Sequence, residues 1–305
     1  MFTNTLTIIG SPHQNTITSA VIRKVLHHLP KSADVRKLAG NDACEIMFSF
    51  DTSNIDYNSR LDDLKTKLHE ALENVPADLC FLTNDHPRKK ILLISDMDST
   101  IIQQECIDEI AKFAGAGDQV SQITERAMKG EIEFETALRE RVKALRGLKI
   151  DHLQKVFDER ITLMPGAREL VQTMRANGAY CALISGGFTY FTSRVAKVIG
   201  FQSNQANELE ISGNSLTGNV REPILGREAK LVALKSLMRE QHLDQTATMA
   251  VGDGANDLQM IQQAALGVAF HAKPIVSAEA QISITHGDLT ALLFLQGYSR
   301  EEFVK

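Results

Sequence analysis

Residues 1–85 alternate short apolar stretches with amphipathic stretches whose apolar positions recur at helical spacing. The alternation predicts six elements in the order strand, helix, strand, strand, helix and strand. We place the strands at 6–10, 33–38, 44–50 and 78–82, and the helices at 17–29 and 58–72. This order is typical of a ferredoxin-like α+β sandwich, so we expect a separate N-terminal domain over residues 1–85.

A second unit begins after the polar stretch 84–90, which contains Pro87 and is predicted to be a linker. Residues 91–95 form a continuous apolar run, which favours a strand buried on both faces of a parallel sheet. From 103 to 160 the pattern is helical throughout, and it is divided by Gly115, Gly117, Gly130 and Gly147. We therefore expect a helical insert at 103–160 that lies above a sheet as a cap.

Beyond Pro165 apolar strands alternate with amphipathic helices. Strands are predicted at 180–184, 248–251 and 267–269, and helices up to 177 and at 190–199, 229–241 and 258–264. This alternation indicates an α/β fold with a doubly wound parallel sheet, formed by 86–102 together with 161–305. Ser-Gly-Asn and Thr-Gly-Asn turn signals within 209–220 predict a hairpin.

Composition narrows the classes of partner. The chain has 305 residues, of which 43% are hydrophobic, so it can bury a core in two or three compact units. A formal charge of -5 without basic clusters argues against nucleic acid as a partner. Neither a signal peptide nor an apolar run of spanning length is found, and the four cysteines are widely separated. We expect reduced thiols and a soluble cytoplasmic protein without membrane contact.

Three predicted strands end in polar, glycine-containing segments. These are DMDST at 96–100, SGG at 185–187 and GDGAND at 252–257. The carboxyl ends of parallel strands meet at one edge of a sheet, where ligands bind in such folds. The sequence thus predicts that the three segments converge on one crevice.

The residue types at this crevice suit phosphoryl transfer. A carboxylate such as Asp96 can act as the nucleophile, and Asp98 and Asp253 add oxygen ligands of the kind that Mg²⁺ prefers. The SGG turn and Lys230, at a predicted helix start, would complete the charge balance around phosphate. Alternatively, DMDST is the start of a calcium loop or an ordinary turn, but Ile101 and Ile107 stand where that loop needs Gly and Glu.

The four motifs DMDST, SGG, the helix-start lysine and GDGAND occur in this order and resemble those of haloacid dehalogenase superfamily phosphatases. The resemblance spans residues 91 to about 275. Within the predicted cap, the match to phosphoserine phosphatases is closer. It is carried by Glu105, the run Met128-Lys129-Gly130, Phe134 and the run 138–142.

The resemblance implies a role for each matching residue. Asp96 would attack phosphorus, and Asp98 would protonate the leaving oxygen and then activate water. Magnesium would be held by the Asp96 side chain, the Asp98 carbonyl and Asp253, with Asp257 in support. The residues implied to contact phosphate are Ser185, Gly186, Lys230 and Asn256.

By the same resemblance, the cap selects the substrate. Glu105 would bind an ammonium group and Arg141 a carboxylate, which are the two charges of an amino acid. Met128 and Phe134 would shield the pocket from water. The implied reaction is hydrolysis of O-phospho-L-serine to L-serine and phosphate, the last step of serine biosynthesis.

Two other functions remain open at this point. One is a phosphatase or phosphotransferase for another small phosphorylated amino acid or alcohol. The other is a regulatory binding protein that keeps a phosphate site without turnover. The N-terminal region resembles ACT-like regulatory domains, but 11–15 departs from their glycine-containing turn, so we expect it to serve in homodimerisation or in packing against the catalytic unit.

Overall fold

The computed structural model describes residues 3–50, 56–128 and 131–304. The N-terminal elements are β1 (Thr3–Gly10), α1 (Ser19–His28), β2 (Asp34–Ala39), β3 (Ala43–Ser49), α2 (Tyr57–Ala71) and β4 (Ala77–Thr83). Their strands form an antiparallel sheet in the order β2-β3-β1-β4. The predicted ferredoxin-like arrangement is confirmed.

The two faces of this sheet pack against different parts of the molecule. Leu6 and Ile8 of β1 join one apolar cluster with Val25 of α1 and Leu68 of α2. Ile9 points to the other face because side chains alternate along a strand, and it belongs to the large cluster of the second domain. The sheet is therefore covered on both faces.

The second domain begins with β5 (Leu92–Ser95), all four residues of which are buried. Four helices follow: α3 (Cys106–Phe113), α4 (Gly117–Met128), α5 (Phe134–Lys143) and α6 (Ile150–Arg160). They carry amphipathic faces whose buried positions, such as Ile110, Leu138 and Leu153, join the central apolar cluster. The helical insert predicted at 103–160 corresponds to this group, and its limits as a domain remain a prediction.

The rest of the chain completes an α/β fold. Its elements are α7 (Ala167–Ala176), β6 (Tyr180–Phe188), α8 (Thr189–Ile199), β7 (Ser203–Asn207), β8 (Leu209–Ser212), β9 (Ser215–Val220), α9 (Ala229–Glu240), β10 (Thr248–Gly252), α10 (Leu258–Gln263), β11 (Leu266–Phe270), α11 (Pro274–Glu279), β12 (Ile282–Ile284) and α12 (Ala291–Leu295). Six strands form a parallel sheet in the order β12-β11-β10-β5-β6-β7. The predicted doubly wound parallel sheet is confirmed.

The β8–β9 hairpin leaves the sheet and pairs its backbone with the cap. Gly147 N donates to Leu216 O at 2.9 Å, Leu216 N to Leu148 O at 2.9 Å, and Ile150 N to Asn214 O at 3.1 Å. The predicted hairpin at 209–220 is therefore present, and it is joined to the cap segment by main-chain hydrogen bonds.

The stretch 84–90, predicted as a linker, is fixed in place. Arg88 forms an ion pair with Glu45 of β3 at 2.7 Å and donates to Leu295 O at 3.1 Å. Lys90 is buried, and its ammonium donates to the carbonyls of Pro87 and Thr246. That the stretch is a linker between two domains remains a prediction, and its charged residues are held in place because each finds a partner.

The N-terminal sheet is also anchored to the end of the second domain. The Asp78 carboxylate of β4 accepts from the backbone N–H groups of Thr285, His286 and Gly287 at 2.8 to 3.2 Å. Within the described part of the chain, no helix has both the length and the apolar character needed to cross a bilayer. All four cysteines are buried, and none forms a disulfide.

Candidate active site

The three motif segments lie at the carboxyl ends of adjacent strands. β5 has β10 on one side and β6 on the other, and all three run parallel. Asp96 directly follows β5, and Asp253 directly follows β10. The chain leaves β5 towards β6 and reaches β10 later on the opposite side. This reversal of strand order opens a crevice in doubly wound sheets.

Three carboxylates face one another in this crevice. Oxygen atoms of Asp96, Asp253 and Asp257 all lie within 4.8 Å of one another. Burial, and next the charge of Asp257, raise the pKa of Asp96 well above its ordinary value. The same two causes raise the pKa of Asp253 to about 6. Burial and the neighbouring carboxylate thus both disfavour the ionised forms of Asp96 and Asp253, and a bound cation would offset this effect.

Lys230 supplies part of the compensating charge. This second residue of α9 is buried, and its Nζ lies 2.7 Å from Asp96 Oδ1 and also contacts Asp257 Oδ1. Burial lowers its pKa, but the charges of Asp257 and Asp96 outweigh that effect, so the net pKa is raised. Lys230 is therefore a permanent ammonium beside the candidate nucleophile. In the sequence it was expected only as a phosphate contact.

Asp257 is held from two directions. Its Oδ1 accepts from Lys230, and its Oδ2 accepts from Gly254 N at 3.0 Å. A β-carbon built at Gly252 would overlap the Asp257 carboxylate, and one at Gly254 would overlap Asn256 Oδ1. The two glycines of GDGAND thus leave room for the acidic and amide side chains that follow them.

Asp98 is half-buried beside the SGG segment. Its Oδ1 accepts from Cys106 N at 3.3 Å. Burial, followed by the charge of Glu105, raises its pKa to about 7. A carboxyl group of this kind can both give and take a proton near neutral pH. Thr100 of the same motif donates to Asp253 Oδ1 at 3.3 Å and links the two acidic segments.

The SGG segment is a bulge inside a strand and not the predicted turn. Ile184 pairs with Gln205 and Phe188 pairs with Asn207, so three residues of β6 stand opposite one residue of β7. β6 continues to Phe188 where the sequence predicted an end at 184. Glycine inside a strand often marks such a bulge, and bulges are common beside active sites.

The bulge presents the Ser185 hydroxyl and two glycines to the crevice. Ser185 Oγ accepts from Gly187 N at 2.9 Å, which leaves its own hydrogen free to donate. A β-carbon built at Gly187 would lie 2.8 Å from Asp98 Oδ2. Only glycine at 187 therefore lets the segment approach Asp98 this closely.

Asn207 was not singled out by any sequence motif. It is buried at the end of β7, where Nδ2 donates to Gly186 O at 2.9 Å and Oδ1 accepts from Leu225 N at 2.7 Å. It belongs to no motif, and its strand was not predicted. Its contact with the SGG segment exists only once β6 and β7 are paired.

The cap brings charged residues to the rim of the crevice. Glu105 is exposed at the start of α3, and it accepts from Ser99 Oγ at 2.7 Å. Arg141 of α5 is half-buried, and its Nε donates to Ala137 O at 3.3 Å. Burial lowers the pKa of Arg141, while the charges of Asp108 and Glu105 oppose this. Asp108 is a further acidic neighbour that sequence motifs did not single out.

Among the described residues the Arg141 guanidinium forms no ion pair within 4.0 Å. The hydrogen bond from its Nε to Ala137 O leaves the two terminal nitrogens to face an anion. Phe134, at the start of α5, lies over the SGG segment, since a β-carbon at Gly186 would be 3.3 Å from its Cζ. Met128 is the last residue of α4, and its side chain, with Lys129 and Gly130, lies outside the described residues.

Comparisons with known proteins identify the family of this chain. A family profile described as haloacid dehalogenase-like hydrolase matches residues 93–262. A phosphoserine phosphatase of Haemophilus influenzae is 48% identical over 204 residues, which are 67% of this chain and 65% of that protein. One of Archaeoglobus fulgidus is 44% identical over 205 residues, which are 67% of this chain and 59% of that protein. The chain thus spans about three fifths of the length of these relatives.

A solved structure extends the likeness over nearly the whole chain. The unliganded crystal structure of a probable phosphoserine phosphatase from Vibrio cholerae has a TM-score of 0.79 and 32% sequence identity. The superposition covers 98% of this chain and 88% of that chain. The N-terminal domain and the catalytic sheet therefore occur together in a related structure.

Proposed function

This chain belongs to the haloacid dehalogenase-like hydrolase family, and from that premise we propose that it is a phosphoserine phosphatase. The reaction would convert O-phospho-L-serine and water to L-serine and phosphate, with magnesium as cofactor. The observation that carries the proposal is the position of Asp96. This buried carboxylate is fixed by Lys230 at 2.7 Å and lies within 4.8 Å of two further carboxylates.

In the first step Asp96 acts as the nucleophile. Lys230 forms an ion pair with Asp96 Oδ1, so Asp96 Oδ2 is the oxygen that would form a bond to phosphorus. As that bond forms, the bond from phosphorus to the serine oxygen breaks, and the proton of Asp98 passes to that oxygen. A carboxyl group with a pKa of about 7 is well suited to this transfer.

In the second step water hydrolyses the phosphoaspartate. Asp98 is now a carboxylate, and it takes a proton from the water molecule that attacks phosphorus. The bond between phosphorus and Asp96 breaks, so Asp96 and the proton on Asp98 are both restored. Ser185, the Gly186 backbone, Lys230 and Asn256 would hold the phosphate oxygens through both steps.

The residues at the site fit a divalent cation. Asp96, Asp253 and the Asp98 carbonyl would hold Mg²⁺, with Asp257 beside them, and this all-oxygen set suits a hard cation. When bound, the ion would neutralise phosphate oxygens. When the three carboxylates and Lys230 are all ionised, their net charge is −2, which equals the charge of Mg²⁺ with the opposite sign.

Glu105 and Arg141 would select the substrate. They stand at the same rim with opposite charges, and the charge of Glu105 acts to raise the pKa of Arg141. An amino acid presents an ammonium group and a carboxylate, so Glu105 would bind the former and Arg141 the latter. Phe134 would cover the phosphate from the cap side.

Substrate comparison tests the proposal. We expect phosphate release from O-phospho-L-serine in the presence of magnesium and its loss with chelator. Phosphoethanolamine lacks the carboxylate, so Arg141→Met should lower kcat/KM by about 100-fold for phosphoserine and much less for phosphoethanolamine. Lys143→Met, an exposed cation on the same helix, is the control. Equal losses on both substrates would refute the assignment of Arg141.

The proposal extends to location and assembly. The four free cysteines support a reducing, cytoplasmic compartment. The N-terminal sheet has β2 and β4 as its outer strands, and an edge strand can pair with another chain, so we propose a homodimer through this domain. Sedimentation of the intact chain as a monomer at micromolar concentration would exclude that dimer.

A further inference from the structure

The bulge in β6 leaves main-chain groups of the SGG segment without strand partners. Ile184 and Phe188 pair with β7 on either side, and the three residues between them face only Ala206. Their N–H and C=O groups are therefore available for other bonds. A buried carbonyl in such a position is costly unless a side chain or ligand satisfies it.

Asn207 satisfies the Gly186 carbonyl from the neighbouring strand. Its Nδ2 donates to Gly186 O at 2.9 Å, and its exposed fraction is only 2%. Its Oδ1 accepts from Leu225 N at 2.7 Å. A single amide group therefore joins the bulge to the segment that leads into α9, where Lys230 is the second residue.

We propose that Asn207 is a positioning residue that keeps the SGG segment in register with Lys230, an inference that rests on the proposed function. Both ends of its amide bind main chain, so it does not touch substrate. It acts through the two segments that would contact phosphate. The SGG segment also lies against Asp98, so a shift of the bulge changes the position of the proton donor.

The geometry makes this role sensitive to small changes. The short, buried side chain of asparagine carries an amide nitrogen that donates at one end and a carbonyl oxygen that accepts at the other, and each end contacts one main-chain group. Aspartate at 207 keeps the acceptor for Leu225 but faces the Gly186 carbonyl with an oxygen. The repulsion would push the bulge away, and displacements of about 1 Å at such sites cost large factors in rate.

Asn207→Asp tests the inference against a matched control. Asn204 lies on the same strand, and its Oδ1 accepts from Thr192 Oγ1 at 2.9 Å, which an aspartate would continue to do. Binding of inorganic phosphate to the magnesium-loaded protein is measured by calorimetry for both variants. We expect Asn207→Asp to weaken phosphate binding about tenfold or more and to lower kcat, and Asn204→Asp to change neither.

A purely structural role predicts a different result. In that case Asn207→Asp lowers the melting temperature, but the folded protein binds phosphate with the same dissociation constant as the unmodified chain. This result would overturn the inference. If Asn207→Asp does not fold, Asn207→Ser replaces it, since a hydroxyl is too short to reach both partners. Unchanged phosphate affinity in folded Asn207→Ser would likewise overturn it.

The phosphate measurement separates this inference from the proposed function. If the unmodified chain binds phosphate but does not hydrolyse O-phospho-L-serine, the substrate assignment fails, and Asn207 is judged on phosphate affinity alone. If the unmodified chain does not bind phosphate with magnesium, both the site and the role of Asn207 are refuted.

Discussion

At the scale of single residues, the candidate site depends on close approaches that only glycine allows. Gly187 lies against Asp98, and Gly252 lies against Asp257. In both places a methyl group would occupy space that a carboxylate now fills. The positions of the acidic groups are therefore set by glycines as much as by the acidic residues themselves.

We expect Gly187→Ala to lower kcat by about 100-fold while the protein remains folded, because the new methyl group would displace Asp98. A β-carbon there would lie 2.8 Å from Asp98 Oδ2 and 3.1 Å from Ser185 Oγ. The control is Gly117→Ala, whose β-carbon would make an ordinary 3.6 Å contact with Lys112 Cγ. Steady-state phosphate release and thermal melting measure both variants, and full activity in Gly187→Ala would contradict the steric account.

The acidic residues were predictable at this scale, but their partners were not. Asp96, Asp98 and Asp253 stand in compact motifs behind apolar strands, so their place at a sheet edge followed from the pattern. Whether each performs its expected role remains a prediction. Asn207 and Asp108 carry no local signal, since their contacts form only when distant segments pack.

At the scale of elements, the β8–β9 hairpin supports the cap. Its main chain bonds to the segment between α5 and α6, and the exposed Arg139 of α5 pairs with Glu222 just beyond β9. An exposed ion pair of this kind contributes little to stability. The main-chain bonds therefore hold the hairpin to the cap.

Two glycines of the hairpin allow this contact to be tested. Gly213 and Gly218 both have positive φ, so alanine is strained at each, but only at Gly218 would its β-carbon meet the cap, 2.9 Å from Arg146 Cβ. We expect faster hydrogen exchange of the Gly147 and Leu216 amides in Gly218→Ala than in Gly213→Ala. Equal exchange in the two variants would show that the hairpin does not hold the cap.

Helices and strands were predicted correctly where the pattern of hydrophobic positions was clear. The helices of the cap and the strands β5 and β10 have strong patterns. β7 reads Ser-Asn-Gln-Ala-Asn, and only its last two residues are buried, so no alternation marked it. β12 and α11 are too short to show a period. The SGG bulge was taken for a turn because glycine pairs occur in both.

At the scale of the whole molecule, the N-terminal domain is hydrogen-bonded to the C-terminal end of the catalytic domain. Asp78 binds three successive backbone N–H groups at 285–287, and Arg88 binds Glu45 together with the carbonyl of Leu295. Such contacts between buried charges and main chain are directional. They fix one orientation of the two sheets.

We expect Asp78→Asn to lower the free energy of unfolding by about 2 kcal/mol, because an amide would turn one donor towards backbone N–H groups that need an acceptor. Urea denaturation measures the change. The control is Asp85→Asn, which removes an exposed carboxylate nearby on the chain. Identical denaturation midpoints for the two variants would show that the anchor does not stabilise the protein.

The two-unit organisation was visible in the sequence, but the interface was not. Apolar periodicity identifies the faces of each sheet, and it does not say which polar residues will be paired between domains. Asp78, Arg88 and Lys90 stood in polar or mixed stretches, and the segment around Arg88 therefore resembled a linker.

The central claim is that Asp96 carries the phosphoryl group during turnover. The most direct measurement is mass spectrometry of the protein after reaction with O-phospho-L-serine and magnesium, followed by rapid acid quenching and proteolysis. We predict a phosphorylated aspartate at position 96 that is absent from Asp96→Asn. Phosphate release at the unmodified rate by Asp96→Asn, or a phosphoryl group on another residue, would contradict the account.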